Sequence, residues 1–532
     1  MKKAALTLTA LAAALLLQAC SKPTEPVASV ASAPVAKAPM PTAVAWVKPE
    51  GANMDALFAQ AKASNKPLFL YWGAVWCPPC NQVKATVFNR PDFIERSQQF
   101  IPVYLDGDTQ GAQKLASEFK VRGYPTMILF KPDRTEITRL PGEVDAQKYL
   151  EVLQLAIGST ASVKETLQMV LDGNATKVSP DNWRQLAFYS WELDEAQLMP
   201  ASERAATLHK LAAAAPADLP QVADRLSMKS LVASATSKTP LVDTNAALTS
   251  VRQVMGSPER AREVFDVLVN FGPALLGALS KPATPERTEL AGLWTQRLDQ
   301  FAADTKLSNA DRLAALTAKV AVMRLDRDEK TKFVADDALA TQVRAAVKAA
   351  DTATTSNYER QAVIPAAADL LSESGLLDES DALLNAELPK AVSPYYHMLV
   401  LSSNAKARGD VPNALQWAER AWTESQGPAT RLQWGTGYVN KIMDLSPKDE
   451  ARVAKAATAV IAELEAAPET FYERNTRSLQ RMAQKMHAWN KQGAHNATVK
   501  KVNAQLNTVC NKLPAEDVAR TACMAIFNKD SK

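Results

Sequence analysis

The hydrophobic pattern changes three times along the chain. The opening MKKAALTLTALAAALLLQAC places an apolar run of roughly fourteen residues behind two lysines, too short for a membrane span and of the length of an export signal. Residues 21 to 43 carry Pro, Ala and Ser without an aromatic side chain, the composition of an extended tether that gains about 3.1 Å per residue. From Lys66 short apolar runs alternate with amphipathic ones. PLFLYWG predicts a strand buried on both faces, and residues 77–90 a helix. Residues 100–105 predict a second strand and 110–119 a second helix. Strands at 126–131 and 136–140 are joined by the turn Pro132-Asp133-Arg134, and a helix at 145–157 closes the series. After Gly158 the period is helical to the end.

Strand, helix, strand, helix, strand hairpin and helix predict a three-layer α/β unit, and the remainder predicts a large all-α domain. Its segments open with Ser179-Pro180, Ser257-Pro258, Thr284-Pro285, Ser393-Pro394 and Ser446-Pro447, where a hydroxyl caps free amides and proline fits the first helical position. Gly375 and Gly409 stand 34 residues apart, as do Pro394 and Pro428, the period of a tetratricopeptide-like helix pair. A helical solenoid is expected, with an irregular bundle as the alternative. The expected division is a signal at 1–19, a tether at 20–44, the α/β domain at 45–158 and the helical domain at 160–532.

Length requires more than one core, and 61 Lys and Arg against 57 acids leave no basic stripe for nucleic acid. The chemistry rests on five cysteines, two of them three apart at Cys77 and Cys80. That spacing alone is open to a metal clamp, a structural disulfide or a redox dithiol. A zinc site needs further ligands close by, and His209, His397, His487 and His495 all lie in the helical region, so no metal or cofactor is expected. A ring this small removes little chain entropy and is a poor staple. At a helix start, converging amides and the helix dipole favour a thiolate on Cys77, which is the nucleophile in disulfide exchange.

Trp76-Cys77-Pro78-Pro79-Cys80, the strand before it, and Gly123-Tyr124-Pro125-Thr126 ahead of the strand TMILF together resemble the thioredoxin family over about residues 46–158. The surrounding wording is most similar to its periplasmic members, such as the C-terminal domain of DsbD and lipoprotein thioredoxins. The resemblance implies that Cys77 attacks a client disulfide, that Cys80 resolves the mixed disulfide, and that Pro125 is cis and lies against the pair. Trp76, Pro78, Pro79 and Tyr124 become active-site neighbours. Tyr71 and Tyr104 stand where many members carry Asp and Lys, which leaves Asp106, Glu143 or water as proton acceptors for Cys80.

Leu17-Gln18-Ala19-Cys20 resembles a lipobox, which implies cleavage before a lipidated Cys20; Ser21 in the next position implies the outer membrane of a bacterial periplasm. Cys510 and Cys523 form an even remainder, which in an exported protein predicts a structural disulfide contributing on the order of 3 kcal/mol; a second redox pair and free thiols are the other readings. Trp183, Trp191, Trp417, Trp422 and Trp434 are read as helical core, with the lining of a peptide groove as the other reading. Expected partners are disulfide-containing exported proteins, a membrane electron donor and the membrane through the lipid. The expected function is a reducing or exchanging thiol-disulfide oxidoreductase whose helical domain recruits clients. The alternative is an assembly factor that keeps the α/β domain for docking alone.

Overall fold

The computed structural model describes residues 41–49, 53–109, 111–121, 123–142, 144–194, 196–327 and 332–528. The export signal, Cys20, most of the tether and Glu143 lie outside the described residues.

Helix α1, Met54–Ser64, precedes the first strand and was not expected. Its apolar stripe is short, Met54, Leu57, Phe58 and Ala61, because only one face is buried. Strand β1, Leu68–Gly73, is buried along its whole length, as a central strand between two layers should be. Helix α2, Pro78–Val83, continues through a π-turn at Lys84–Phe88, and α3 spans Pro91–Arg96. Strand β2, Ile101–Asp106, α4, Ala112–Glu118, β3, Thr126–Phe130, β4, Glu136–Leu140, and α5, Ala146–Ile157, complete the unit. The sheet order is β2-β1-β3-β4, with β1 parallel to β2 and the other pairs antiparallel. Leu68, Leu70 and Trp72 face α1 and α4, and Phe69 and Tyr71 face the layer of α2 and α5. This is the three-layer α/β arrangement expected from the pattern.

From Val163 onward the described residues form helices joined by short turns, with no strand among them. Ser179, Ser257 and Thr284 cap their helices as expected, accepting the amides of Asn182, Arg260 and Arg287. Ser446-Pro447 does not start a helix. Asp449 outcompetes it as a cap by accepting the Arg452 amide, and the helix begins at Glu450. The 34-residue spacing marks two helix hairpins, Asn357–Glu373 with Leu377–Glu387 and Pro394–Arg408 with Val411–Thr423. Gly375 at φ 80° and Gly409 at φ 84° supply the left-handed turns.

The hydrophobic core does not stop at residue 158. Tyr149 and Leu153 of α5 share one cluster with Trp183, Leu186, Trp191 and Leu226, and the same cluster reaches Tyr395 and Met398. A buried ion pair, Arg225 to Asp266 with both bonds at 2.8 Å and Lys229 at 3.2 Å, ties the middle helices together. No helix among the described residues is long and apolar enough to cross a membrane.

Candidate active site

Cys77 is the N-cap of α2, and Pro78 and Pro79 occupy its first two positions, where no amide is required. The Cys77 sulfur accepts the Cys80 amide at 3.2 Å and is bonded to the Cys80 sulfur, so the first free amide of the helix points at the redox pair. Asn81, fully buried, donates to the carbonyls of Val75 at 2.8 Å and Cys77 at 3.0 Å and fixes the loop that presents the pair. This asparagine was not singled out from the sequence. The Tyr124-Pro125 peptide bond is cis. Gly107 allows the Tyr124 ring to approach, since a Cβ there would meet its hydroxyl at 1.8 Å.

Beneath the pair, Tyr71 donates to the Cys80 carbonyl at 3.4 Å and its ring stacks on Tyr104 at 5.2 Å. Tyr104 donates to Asp106 at 3.2 Å. Burial pushes both hydroxyls well above the ordinary phenol range, so neither takes a proton as a base. Asp106 is thereby linked to Cys80 through two stacked tyrosines, with Lys84 over both rings.

The pair is covered. Cys77 is 2 % exposed and Cys80 0 %, and Trp76 beside them is held down by helices more than two hundred residues further along the chain. Helix Asn357–Glu373 packs along α2. Trp76 stacks on Tyr396 at 6.3 Å and meets Trp434 edge-on at 5.4 Å. The Arg474 guanidinium lies 5.0 Å from the Trp76 ring and 4.8 Å from Tyr124. At its edge, Trp76 donates to Asp108 at 3.3 Å, and Asp108 also accepts the Thr430 amide at 2.8 Å and the Thr430 hydroxyl. Burial raises the Asp108 carboxyl above its usual range despite these donors. Gly427 at φ 85° makes the approach possible, because a Cβ would meet Asp108 at 2.7 Å. On the opposite side Gln82 donates to Asp311 at 2.7 Å, and Arg262 to Asp145 at 2.7 Å. Between these contacts a cavity of about 260 Å³ is lined by Pro79, Tyr124 and Pro125 from the α/β unit and by Lys229, Asp266 and Asp311 from the helices.

Trp183, Trp191 and Trp422 are core, whereas Trp434, also read as core, stands against the active-site tryptophan. Arg474, Thr430 and Tyr396 carry no sequence signal of this role. A disulfide joins Cys510 to Cys523 across the terminal hairpin, remote in sequence from the first pair.

Residues 54–157 match the model of a thioredoxin-like domain. The chain is similar to the thiol:disulfide interchange protein DsbD of Pseudomonas fluorescens, 32% identical over 19% of this chain and 18% of that protein. It is similarly related to DsbD 2 of Pseudomonas aeruginosa, 33% identical over 19% of this chain and 18% of the relative. It therefore spans less than a fifth of the length of these relatives. A thioredoxin of Mycolicibacterium smegmatis is 31% identical over 88 residues, which are 16% of this chain and 76% of that protein. With a four-stranded sheet, a Cys-Pro-Pro-Cys helix start and a cis-proline loop in agreement with these similarities, the chain belongs to the thioredoxin family.

Proposed function

We propose that the protein is a thiol-disulfide oxidoreductase acting on disulfide-containing exported proteins, with Cys77 as nucleophile and Cys80 as resolving residue. The observation that carries this is the Cys77 sulfur at a helix start, accepting the Cys80 amide and bonded to Cys80. In the reduced protein the Cys77 thiolate attacks one sulfur of a client disulfide, and the other client sulfur leaves as thiolate. The Cys80 thiol then gives up its proton and attacks the Cys77 sulfur. The second client thiolate is released and the enzyme disulfide is restored. The two electrons delivered must be returned by a donor dithiol, for which a membrane electron relay is the proposed source. Pro125 and Tyr124 border the position that the client sulfur occupies, and Trp76 is the movable cover.

The domain division at 45–158 and 160–532, the structural role of the Cys510-Cys523 disulfide, lipidation at Cys20 after removal of residues 1–19, and a periplasmic, outer-membrane-anchored location belong to the same proposal. The helical region recruits clients and, because Cys77 is 2 % exposed beneath it, also governs access. Insulin reduction by the intact chain with dithiothreitol tests the reading: Cys77→Ser should abolish turnover, and Cys80→Ala should accumulate a mixed disulfide on Cys77. Undiminished turnover by Cys77→Ser would sink it.

A further inference from the structure

We infer that an open pocket of about 310 Å³ in the helical region, one ring away from Trp76, is a docking site for an acidic, extended segment of the client polypeptide. The pocket lies among the helices Pro394–Arg408, Val411–Thr423, Pro428–Leu445 and Glu473–Trp489, and its lining includes Leu399, Trp434, Asn440, Lys441, Ser478 and Arg481. This deepens the redox reading above and rests on it.

Charge gives the first argument. None of the described residues lining the pocket is acidic, and two are cationic. Lys441 is half-buried and spends its ammonium on a hydroxyl, Ser402, at 2.6 Å. Arg481 is exposed and makes only a 3.4 Å contact to Ser478. Among the described residues no carboxylate pairs with either, although Arg252, Arg344 and Arg431 elsewhere on the helical surface are all matched with glutamates. Burial, reinforced by Lys406 and only partly offset by Asp444, which is itself paired with Lys485, pushes the Lys441 ammonium down to about 8.

Hydrogen bonding gives the second. Trp434 holds a buried indole N–H and Asn440 a buried amide oxygen, and neither has a partner. Such atoms are uncommon in folded proteins and call for an explanation. One lacks an acceptor and the other a donor, a combination that a simple anion cannot satisfy and that a polypeptide backbone supplies at every residue. Position gives the third argument. Trp434 forms part of the pocket and also touches Trp76, so a segment seated there holds its neighbouring disulfide beside Cys77 and acts on the ring that covers it.

Gly437 makes the test clean. It lines the pocket on the helix Pro428–Leu445, and a Cβ built on it meets nothing within 4 Å, so Gly437→Glu places a carboxylate there without a clash. The oxidised full chain is titrated calorimetrically with a cysteine-free decapeptide of alternating Glu and Ala, and with its Lys and Ala counterpart. The acidic peptide should bind. Lys441→Ala and Arg481→Ala should each weaken it by about threefold to fivefold, as exposed or half-exposed ion pairs do, and raised salt should weaken it further. Gly437→Glu should weaken it by at least as much with no fall in melting temperature. Equal affinity for the lysine peptide, or acidic-peptide binding that survives Gly437→Glu, overturns the proposal. Displacement by an equal concentration of inorganic phosphate also overturns it, in favour of a small-anion site. Reduction of insulin with dithiothreitol by the wild type is measured in parallel. Its absence from the wild type would defeat the redox reading, while the titration still decides whether the pocket binds acidic peptide.

Discussion

Thr430→Val isolates one contact between the redox pair and its cover. Thr430 is 1% exposed and gives Asp108 two bonds, one from its amide and one from its hydroxyl. Valine has nearly the same shape and keeps the amide bond, so only the hydroxyl bond to a buried carboxylate is lost. A hydrogen bond to a charged group is worth about 1.5–3 kcal/mol, and the oxygen that loses it retains only the Trp76 indole at 3.3 Å. If the cover opens around Trp76 for Cys77 to react, a loss of about 2 kcal/mol from the closed state raises the open population about thirtyfold. Alkylation of the reduced protein by iodoacetamide, followed by mass spectrometry of the Cys77 peptide, reads that population when opening and closing are fast compared with labelling. The expected result is Cys77 labelling faster by one to two orders of magnitude, with Cys80 still protected. Labelling unchanged within twofold, alongside the expected loss of stability in urea, would refute the reasoning, since the bond would then hold the fold without guarding the thiol.

Two further outcomes follow from buried groups far from the pair. His397 is fully buried with neither ring nitrogen bonded, and burial pushes its imidazole down to about 4. The unfolded chain, titrating near 6.5, therefore binds more protons than the folded one below that pH. Its contribution is complete above about pH 6.5, is reduced by about 2 kcal/mol at pH 5, and falls further towards pH 4; the unfolding free energy of the wild type in urea should fall by that amount relative to that of His397→Leu. Replacing Cys510 and Cys523, 13 residues apart, by serine should cost the terminal hairpin about 3 kcal/mol while leaving Cys77 alkylation unchanged, as followed by thermal melting and labelling.

What was legible in the sequence is what is local. PLFLYWG and TMILF announce buried central strands because, Thr126 apart, they run through apolar and aromatic residues between turn formers, and the sheet places them side by side. Cys77 through Cys80 and the proline at 125 stand in short strings that can be read without a structure. Helix α1 was missed because a one-sided stripe within MDALFAQAKAS is sparse. Ser446-Pro447 misled because Asp449, three residues on, is an equally good cap and has the helical pattern directly behind it. The cover was illegible for a different reason. Arg474 sits in ERNTRSLQRMAQKMHAW, where an arginine reads as solvated, and Thr430 and Tyr396 are ordinary helix residues. Their roles are set by tertiary contacts with Trp76 and Asp108, which no periodicity encodes.

The composition of the cover bears on how such a site can work at all. Trp76 has Tyr396 stacked on it, Trp434 and Tyr124 at its edges, and the Arg474 guanidinium near its ring. Aromatic pairs contribute about 0.5–1.5 kcal/mol beyond burial, and a desolvated guanidinium over a ring about 1–2 kcal/mol. Two of these contacts, Tyr396 and Trp434, and the arginine are supplied by the helical region, so opening forfeits about 2–5 kcal/mol from ring contacts alone. That slows reaction with a small thiol, which offers nothing in return, by about 30-fold to several thousandfold. A client that binds the helices nearby can offset the same loss through its own contacts, and the thiol then becomes available mainly in its presence. Selectivity of this kind requires no change in the chemistry of Cys77: the discrimination lies in who can lift Trp76.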